Sequence, residues 1–272
     1  MALAGARQSI VVVWAGLAAC NAPGDARDLD ASVMTFDAAP PCQGDFEGPL
    51  WTATTEPFDS PDGAWRVIYR GEGSVGTRDS DDRRVYFGRS KPPTSPSGTV
   101  GNDTVGTAAT QTLSTAAFEN VRIELDMRTV AQLRTYDLQN DPPNAWEHAW
   151  VFFNYLDRWH HVYFYLGTYG YELGKKDNET MAEAQVFLRT GTSVHDTIGS
   201  WQHLAIEIED NRFRIWVNGV STVDYTNDGS DGKIALSWRG GKVGFYGEDA
   251  EVEIDNVCVT PLSARASTRG SR

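Results

Sequence analysis

The chain has 272 residues, of which 40% are hydrophobic and 22% charged, and its formal net charge is -13 at pH 7. This length and apolar content suffice for one domain with a sizeable core. Binding to phosphates depends on clustered Lys and Arg, and no basic cluster interrupts the acidic sequence. Nucleic acid is therefore excluded as a partner, and an anionic membrane surface is disfavoured.

The N-terminal segment has the pattern of an export signal. Arg7 supplies a positive charge, and the apolar run over residues 10–19 is too short to span a membrane. The run ends in Leu-Ala-Ala followed by Cys20, which resembles a bacterial lipobox, whose cysteine carries a lipid. We predict a signal peptide over residues 1–20, lipidation of Cys20 and a flexible tether over residues 21–41.

These features predict an exported lipoprotein at the bacterial cell surface or outer membrane, attached to the membrane through its lipid anchor only. The alternative is an ordinary cleaved signal peptide and a fully secreted protein.

The rest of the chain predicts strands and turns. Seven short runs alternate in polarity or are rich in β-branched residues, which is typical of strands. They are residues 65–70, 121–129, 149–155, 159–166, 184–189, 203–209 and 212–217. The pairs Asp210-Asn211 and Asn218-Gly219 predict tight hairpins. Residues 71–114 are poor in apolar side chains and predict long ordered loops that wall a binding cleft.

Residues 146–177 combine aromatic and polar residues at strand spacing. Alternation assigns one set of side chains to the core, namely His160, Val162, Phe164 and Leu166. It assigns the other set to an exposed face, namely Trp159, His161, Tyr163 and Tyr165. Exposed rings that carry OH and NH groups suit a ligand with apolar faces and hydroxyl-rich edges, so we predict a sugar.

The C-terminal third carries a series of short motifs. Ile215 to Gly219, Val243 to Tyr246 and Val252 to Val257 occur in an order that resembles the concanavalin A-like lectin/glucanase superfamily. The likeness is to modules of the laminin-G and 3-keto-disaccharide hydrolase type. It implies an all-β, two-sheet antiparallel β-sandwich, the jelly roll, with a glycan site on its concave sheet. We place this domain at residues 42–261 and a disordered tail at residues 262–272.

The resemblance also implies a structural calcium ion. The oxygens of Asp45, Glu47 and Asp255 could hold Ca2+ if the terminal strands pair, the alternative being solvated acids and an edge-strand turn. We predict a disulfide between Cys42 and Cys258, since exported chains form such bonds and the first and last strands of β-sandwiches often lie side by side. The alternative is two unrelated thiols, with Cys258 buried in a terminal strand.

Candidate catalytic residues follow from the aromatic strands. The Glu-x-Asp-x-x-Glu motif of laminarinase-type members is missing, because Thr129 stands where the second Glu should be. A lyase instead needs a Tyr or His base beside a cation. The candidates for such chemistry are Tyr163, His161, Tyr165, Lys175 and Glu172. The candidates for substrate contact are Trp146, His148, Trp159 and Asn154.

Glu172 and Lys175 lie three residues apart, so on a continuous strand they face opposite ways and only one can serve a given cleft. We predict a monomeric extracellular protein that binds a polysaccharide or oligosaccharide, with cleavage by a hydrolase or lyase mechanism left open. The alternative is a non-catalytic, laminin-G-like adhesion or structural module.

Overall fold

The computed structural model describes residues 46–92, 108–134, 143–177 and 185–262. In these residues the chain forms two antiparallel sheets, which pack face to face as a jelly-roll β-sandwich and confirm the predicted fold class. In the same part of the chain, no helix is long and apolar enough to cross a membrane.

The first sheet has eight strands. Their spatial order is β1 (Phe58–Asp59), β2 (Trp65–Arg70), β5 (Ala109–Ser114), β14 (Lys242–Glu248), β7 (Ala149–Asp157), β8 (His160–Gly167), β9 (Gly170–Asp177) and β10 (Gln185–Gly191). The second sheet has seven strands. Their order is β13 (Val220–Thr226), β12 (Arg212–Val217), β11 (Gln202–Glu209), β6 (Val121–Gln132), β15 (Ala250–Pro261), β4 (Arg83–Arg89) and β3 (Ser74–Ser80).

The main core lies between the two sheets. Alternate residues of each strand point inward, as the period of two requires. In β8 these are Val162, Phe164 and Leu166, and in β6 they include Ile123 and Leu125, all at most 1% exposed. The predicted inward set of β8 is thus confirmed, except that His160 is half-buried and contacts Asp157 instead.

Within the described residues, the seven predicted runs coincide with strands except at Trp159, which lies in the turn before β8, and both predicted hairpins form. Asp210 joins β11 to β12 with a φ of 54°, and Asn218 and Gly219 join β12 to β13 with φ of 50° and 79°. Such positive φ values suit Asn, Asp and Gly, and they match the right-handed twist of the paired strands.

The prediction of long loops over residues 71–114 was wrong for the residues that the structure describes. They form β3, β4 and β5, and Asp81 and Asp82 make the β3–β4 turn with φ of 50° and 62°. The apolar content is low because the outward face of this hairpin carries charged side chains. Arg78, for example, forms an ion pair of 2.6 Å with Glu253 of β15.

Several sequence-based predictions concern residues outside the described ranges. Cys20, Cys42 and the whole of the signal and tether lie there, as do residues 263–272. Cys258 lies on β15. Lipidation of Cys20 and the disulfide between Cys42 and Cys258 therefore stay predictions.

Candidate functional site

A second cluster of apolar side chains covers the outer face of the eight-stranded sheet. We call it the aromatic face, and its members are Ile68, Leu113, Trp146, Trp150, Phe152, Tyr155, Tyr163, Tyr165 and Tyr246. Six of the nine are Trp or Tyr, which combine a ring with a polar group. The strand alternation that buries Val162 and Phe164 in the core therefore places a second ring-rich layer on the opposite side of the sheet.

The register of four strands assembles this layer. Tyr165 of β8 lies opposite Trp150 of β7 on one side and Glu172 of β9 on the other, while Trp150 lies opposite Tyr246 of β14. The rings pack on one another, with centroids 4.6 Å apart for Trp150 and Tyr165 and 5.2 Å apart for Phe152 and Tyr246. The row is therefore fixed by contacts between strands distant in sequence.

The predicted exposure of these rings was wrong. His161 and Tyr165 are each 6% exposed and Tyr163 is 1% exposed, because Trp150 and Phe152 pack beside them. The ring-bearing residues with more accessible surface lie around this centre. They are the half-buried Trp146, Trp159, Phe187 and Tyr246.

A buried carboxyl, that of Glu172, lies within the aromatic face. Tyr163 donates a hydrogen bond of 2.6 Å to Oε1, and Tyr165 donates one of 3.3 Å to Oε2. Gln185 of β10 in turn donates to the Tyr163 oxygen at 2.6 Å. Burial raises the pKa of Glu172 to about 7, although both phenols oppose the rise. At neutral pH this carboxyl is thus poised between its acid and base forms.

The two tyrosines serve Glu172 as donors. Burial, followed by the nearby charge of Glu172, raises the pKa of Tyr163 and of Tyr165 well above the ordinary value. Both phenols therefore stay protonated at neutral pH. This geometry brings together three of the predicted catalytic residues, with the carboxyl rather than a phenol suited to accept a proton.

A second buried carboxyl, that of Glu248, lies at the end of β14. Trp146 donates to its Oε1 at 3.0 Å, and Tyr246 donates to its Oε2 at 2.7 Å. Burial raises the pKa of Glu248 to about 7 as well. The charges of Glu172 and Glu248 both raise the pKa of Tyr165, so this phenol interacts electrostatically with both carboxyls.

Glu248, Trp150 and Tyr246 were not predicted from the sequence. The spacing of Tyr246 and Glu248, two residues apart on a strand, was the available signal, since such residues share a face. That spacing does not reveal that β14 pairs with β7, and this pairing brings residues about a hundred positions apart into one row.

An ion cluster supports the Glu248 end of the site. Arg134 donates to Glu147 at 2.8 Å and to Asp249 at 3.2 Å, and all three side chains are fully buried. Asn144 also donates to Glu147 at 2.8 Å. Burial raises the pKa of Glu147 and of Asp249. Because Glu147 and Asp249 adjoin Trp146 and Glu248 in sequence, the cluster fixes the backbone that carries them.

Among the described contacts, neither His161 nor His148 forms a hydrogen bond with Glu172 or Glu248. His161 stacks on Phe152 at 4.8 Å, and burial lowers its pKa to about 3, so the ring is neutral at pH 7. His148 is fully buried, with Nδ1 3.1 Å from the Thr129 hydroxyl and 3.2 Å from Asp196 Oδ2. Thr129 belongs to the other sheet, so His148 links the two sheets and is not on the aromatic face.

Two further predicted residues, Lys175 and Asn154, are held by other contacts. Lys175 lies opposite Val162, which is a core residue, and its ammonium bonds Asp177 and the Ile234 carbonyl. It therefore does not share the face of Glu172, as the spacing had indicated. Asn154 is buried at an irregular point of β7, where its backbone carbonyl accepts a hydrogen bond of 2.8 Å from the indole of Trp238.

The calcium ligands predicted from the sequence are not assembled in the described part of the chain. Asp255 Oδ2 accepts from Arg83 at 3.2 Å, so a guanidinium lies where a cation was expected, and Asp45 is outside the described residues. Among the described residues no group of three or more His, Cys, Asp or Glu is placed to hold a metal ion. The calcium ion stays a prediction without support from these contacts.

A family model decides the relationship of this chain to known proteins. The 3-keto-alpha-glucoside-1,2-lyase-like domain matches residues 58–260, which includes all fifteen strands except the final residue of β15. The chain belongs to this family. The resemblance drawn from the C-terminal motifs is confirmed, and the match extends over Glu172, Glu248 and the whole aromatic face. A search of curated proteins finds no match.

Solved structures with a similar course of the chain include two from Bacillus subtilis. A protein of unknown function with a galectin-like fold has 12% identity and a TM-score of 0.48, with 78% of this chain and 96% of that chain covered. The carbohydrate-binding module CBM66 has 14% identity and a TM-score of 0.47, with 71% and 94% covered. A Bacteroides ovatus GH16 protein in complex with a G4G4G3G product has 10% identity and a TM-score of 0.46, with 77% and 99% covered.

Proposed function

We propose that this protein binds a sugar on the aromatic face and, when that sugar is a 3-keto-α-glucoside, eliminates the group attached to its C1. The observation that carries the proposal is the Glu172 carboxyl, buried among rings, with two tyrosine donors and a pKa raised to about 7. Family membership over residues 58–260 supports the choice of substrate class.

The proposed reaction uses the acidity that a ketone gives to its neighbouring carbon. A carbonyl at C3 makes the C2 proton removable, and ionised Glu172 accepts it. The C1–O bond then breaks, and a double bond forms between C1 and C2 in conjugation with the C3 carbonyl. The departing oxygen takes a proton and leaves as an alcohol. No oxidant or reductant is consumed in this step.

Glu248 is the proposed proton donor to the departing oxygen. Its pKa, also raised to about 7, keeps a large share of the carboxyl protonated at neutral pH. Proton transfer from Glu248 and proton acceptance by Glu172 exchange the charge states of the two carboxyls, which solvent then resets. The half-buried rings of Trp146 and Tyr246, which border Glu248, are the proposed stacking surface for the sugar.

The first experiment compares wild type with Glu172→Gln on the 3-keto derivative of methyl α-glucoside. Glutamine keeps the size of the side chain but cannot accept the proton, so we expect kcat/KM to fall about 100-fold or more while sugar binding is retained. The enone product is followed by its ultraviolet absorbance. Glu207→Gln, on the outer face of the other sheet, is the matched control and should leave turnover unchanged.

Two outcomes would overturn parts of this proposal. Full activity of Glu172→Gln would remove Glu172 from the reaction. Sugar binding without turnover in the wild type would instead favour a non-catalytic binding module.

We also propose that the protein acts outside the cell while anchored by lipid at Cys20. The lipobox-like sequence that ends at Cys20 supports this location. Replacing Cys20 with Ala should release the protein from the membrane fraction. Continued membrane association of that variant, measured by immunoblotting, would contradict the anchor.

A further inference from the structure

Two cations lie beside one indole ring at an edge of the aromatic face. The guanidinium carbon of Arg158 is 4.6 Å from the ring centre of Trp159, and Lys176 Nζ is 5.6 Å from it. Arg158 and Trp159 form the turn between β7 and β8, while Lys176 lies on β9 opposite His161. We call these three residues the cationic corner.

Strand register places Lys176 on the same side of the sheet as the proposed site. His161, Tyr163 and Tyr165 lie opposite Lys176, Gly174 and Glu172 respectively, so Lys176 and Glu172 share the outer face. The neighbouring Lys175, by contrast, faces Val162 and has its own acid, Asp177. Of these two adjacent lysines, only Lys176 belongs to the aromatic face.

Lys176 is costly to bury in its present surroundings. Lys176 as a whole residue is only 9% exposed. Its ammonium forms neither an ion pair nor a hydrogen bond with the described residues. Burial lowers its pKa, the charge of Glu248 opposes that shift, and the like charge of Arg158 adds to it to a smaller extent. Arg158 is exposed and also lacks an acidic partner in that part of the chain.

This arrangement is unusual for a chain with a net charge of -13. Most arginines on the outer face of the other sheet are paired, as Arg78 is with Glu251 and Glu253. A lysine whose residue is nine-tenths buried and whose ammonium has no such counter-ion is stabilised by an anion that arrives with a ligand. The Arg158 guanidinium adds a fork of donors that matches the two oxygens of a carboxylate.

We propose that the cationic corner binds the carboxylate of an acidic sugar, so that this protein prefers glycosides that carry a uronic acid. The indole of Trp159 offers the apolar face of the same subsite, against which the sugar ring stacks. This inference rests on the proposed function, because it takes the aromatic face as a sugar site, and it extends that function by naming the charge of the ligand.

The test compares ligands that differ only at C6. Methyl α-glucuronoside and methyl α-glucoside are titrated into the full-length protein, and the wild type should bind the glucuronoside about tenfold more tightly or better. Lys176→Gln and Arg158→Gln should each reduce that preference, by weakening the binding of the glucuronoside more than the binding of the neutral glucoside. Added salt should weaken the preference as well, because both charges are near the surface.

Lys91→Gln is the matched control. It removes one positive charge at an exposed ion pair with Glu72, away from the aromatic face, and should leave the preference intact. The 6-sulfate and 6-phosphate of the same glucoside show whether another anion is the true ligand. Tighter binding of either ester than of the glucuronoside, with dependence on Lys176, would overturn the assignment to a carboxylate.

The remaining outcomes separate this inference from the proposed function. Equal binding of the neutral and acidic glucosides would overturn the cationic corner and leave the sugar site standing. Absence of binding by every sugar tested would overturn the proposed sugar site and, with it, the inference. Arg158 is exposed, so its variant remains informative even if Lys176→Gln does not fold.

Discussion

Gly174 shows at the scale of one residue how the backbone makes room for the site. A Cβ atom at this position would lie 2.1 Å from the Tyr163 oxygen and 2.3 Å from its Cζ atom. Contacts that short do not occur, so the tyrosine ring would have to leave its place across β9. The hydrogen bond from Tyr163 to Glu172 therefore depends on the glycine between them.

The substitution Gly174→Ala should accordingly damage the site. We expect a loss of about 1–3 kcal/mol in the free energy of unfolding, from overpacking, and a fall of tenfold or more in turnover, because Glu172 loses a donor. Urea denaturation and the enone assay measure the two effects. Gly48→Ala is the control, since a Cβ there has nothing within 4 Å. A Gly174→Ala variant as stable and active as the control would contradict this reading of the contact.

The sequence predicted correctly those features of the site that depend on side-chain alternation within a single strand. Alternation alone separated Val162 and Phe164 from Tyr163 and Tyr165, and the spacing of Glu172 and Lys175 put them on opposite faces. The burial of the rings was unpredictable, because Trp150 reaches Tyr165 only after β7 pairs with β8. Pairing between strands distant in the chain is decided by the whole fold and leaves little trace in a short window.

At the scale of elements, the end of β9 is tied to the segment before β14 by a buried lysine. Lys175 is fully buried and bonds both Asp177, whose side chain is 7% exposed, and the carbonyl of Ile234 at 2.7 Å. Removing one partner of a buried pair leaves the other charge without compensation. The contact therefore holds the segment around Ile234 against the eight-stranded sheet.

We expect Lys175→Met to cost about 3–5 kcal/mol in the free energy of unfolding, because Asp177 then stays buried without its cation. The control is Arg212→Met, which breaks an ion pair whose two side chains are 42% and 54% exposed and should leave the free energy of unfolding nearly unchanged. Urea denaturation of both variants measures the difference. Equal losses would mean that the buried ion pair of Lys175 stabilises the fold no more than the exposed ion pair of Arg212.

For the whole molecule, the two buried carboxyls predict how stability changes with pH. Each has a pKa of 4.5 when unperturbed and of about 7 in the folded protein. Between these values the folded state holds more protons than the unfolded chain, so the free energy of unfolding decreases as the pH rises from about 4.5 to 7. Each group contributes at most roughly 3 kcal/mol to this decrease.

His161 acts in the opposite direction over part of the same window. Burial lowers its pKa from 6.5 to about 3, so its neutral form favours folding above pH 6.5 and that contribution is lost as the pH falls toward 3. A plain stability profile therefore mixes these effects with those of Glu147 and Asp249, whose pKa values are also raised by burial. The comparison that isolates the carboxyls is between wild type and the double variant Glu172→Gln, Glu248→Gln, in which His161 is common to both.

The double variant should gain stability relative to wild type as the pH increases. Glutamine does not ionise in this pH range, so the penalty for ionising two buried carboxyls is present only in the wild type. Urea denaturation at pH 5, 6, 7 and 8 should show the difference growing by a few kcal/mol from the lowest pH to the highest and levelling off above about pH 7. A difference that stays constant across this range would mean that Glu172 and Glu248 titrate as ordinary exposed acids, which would also remove the basis for their proposed roles as proton acceptor and donor.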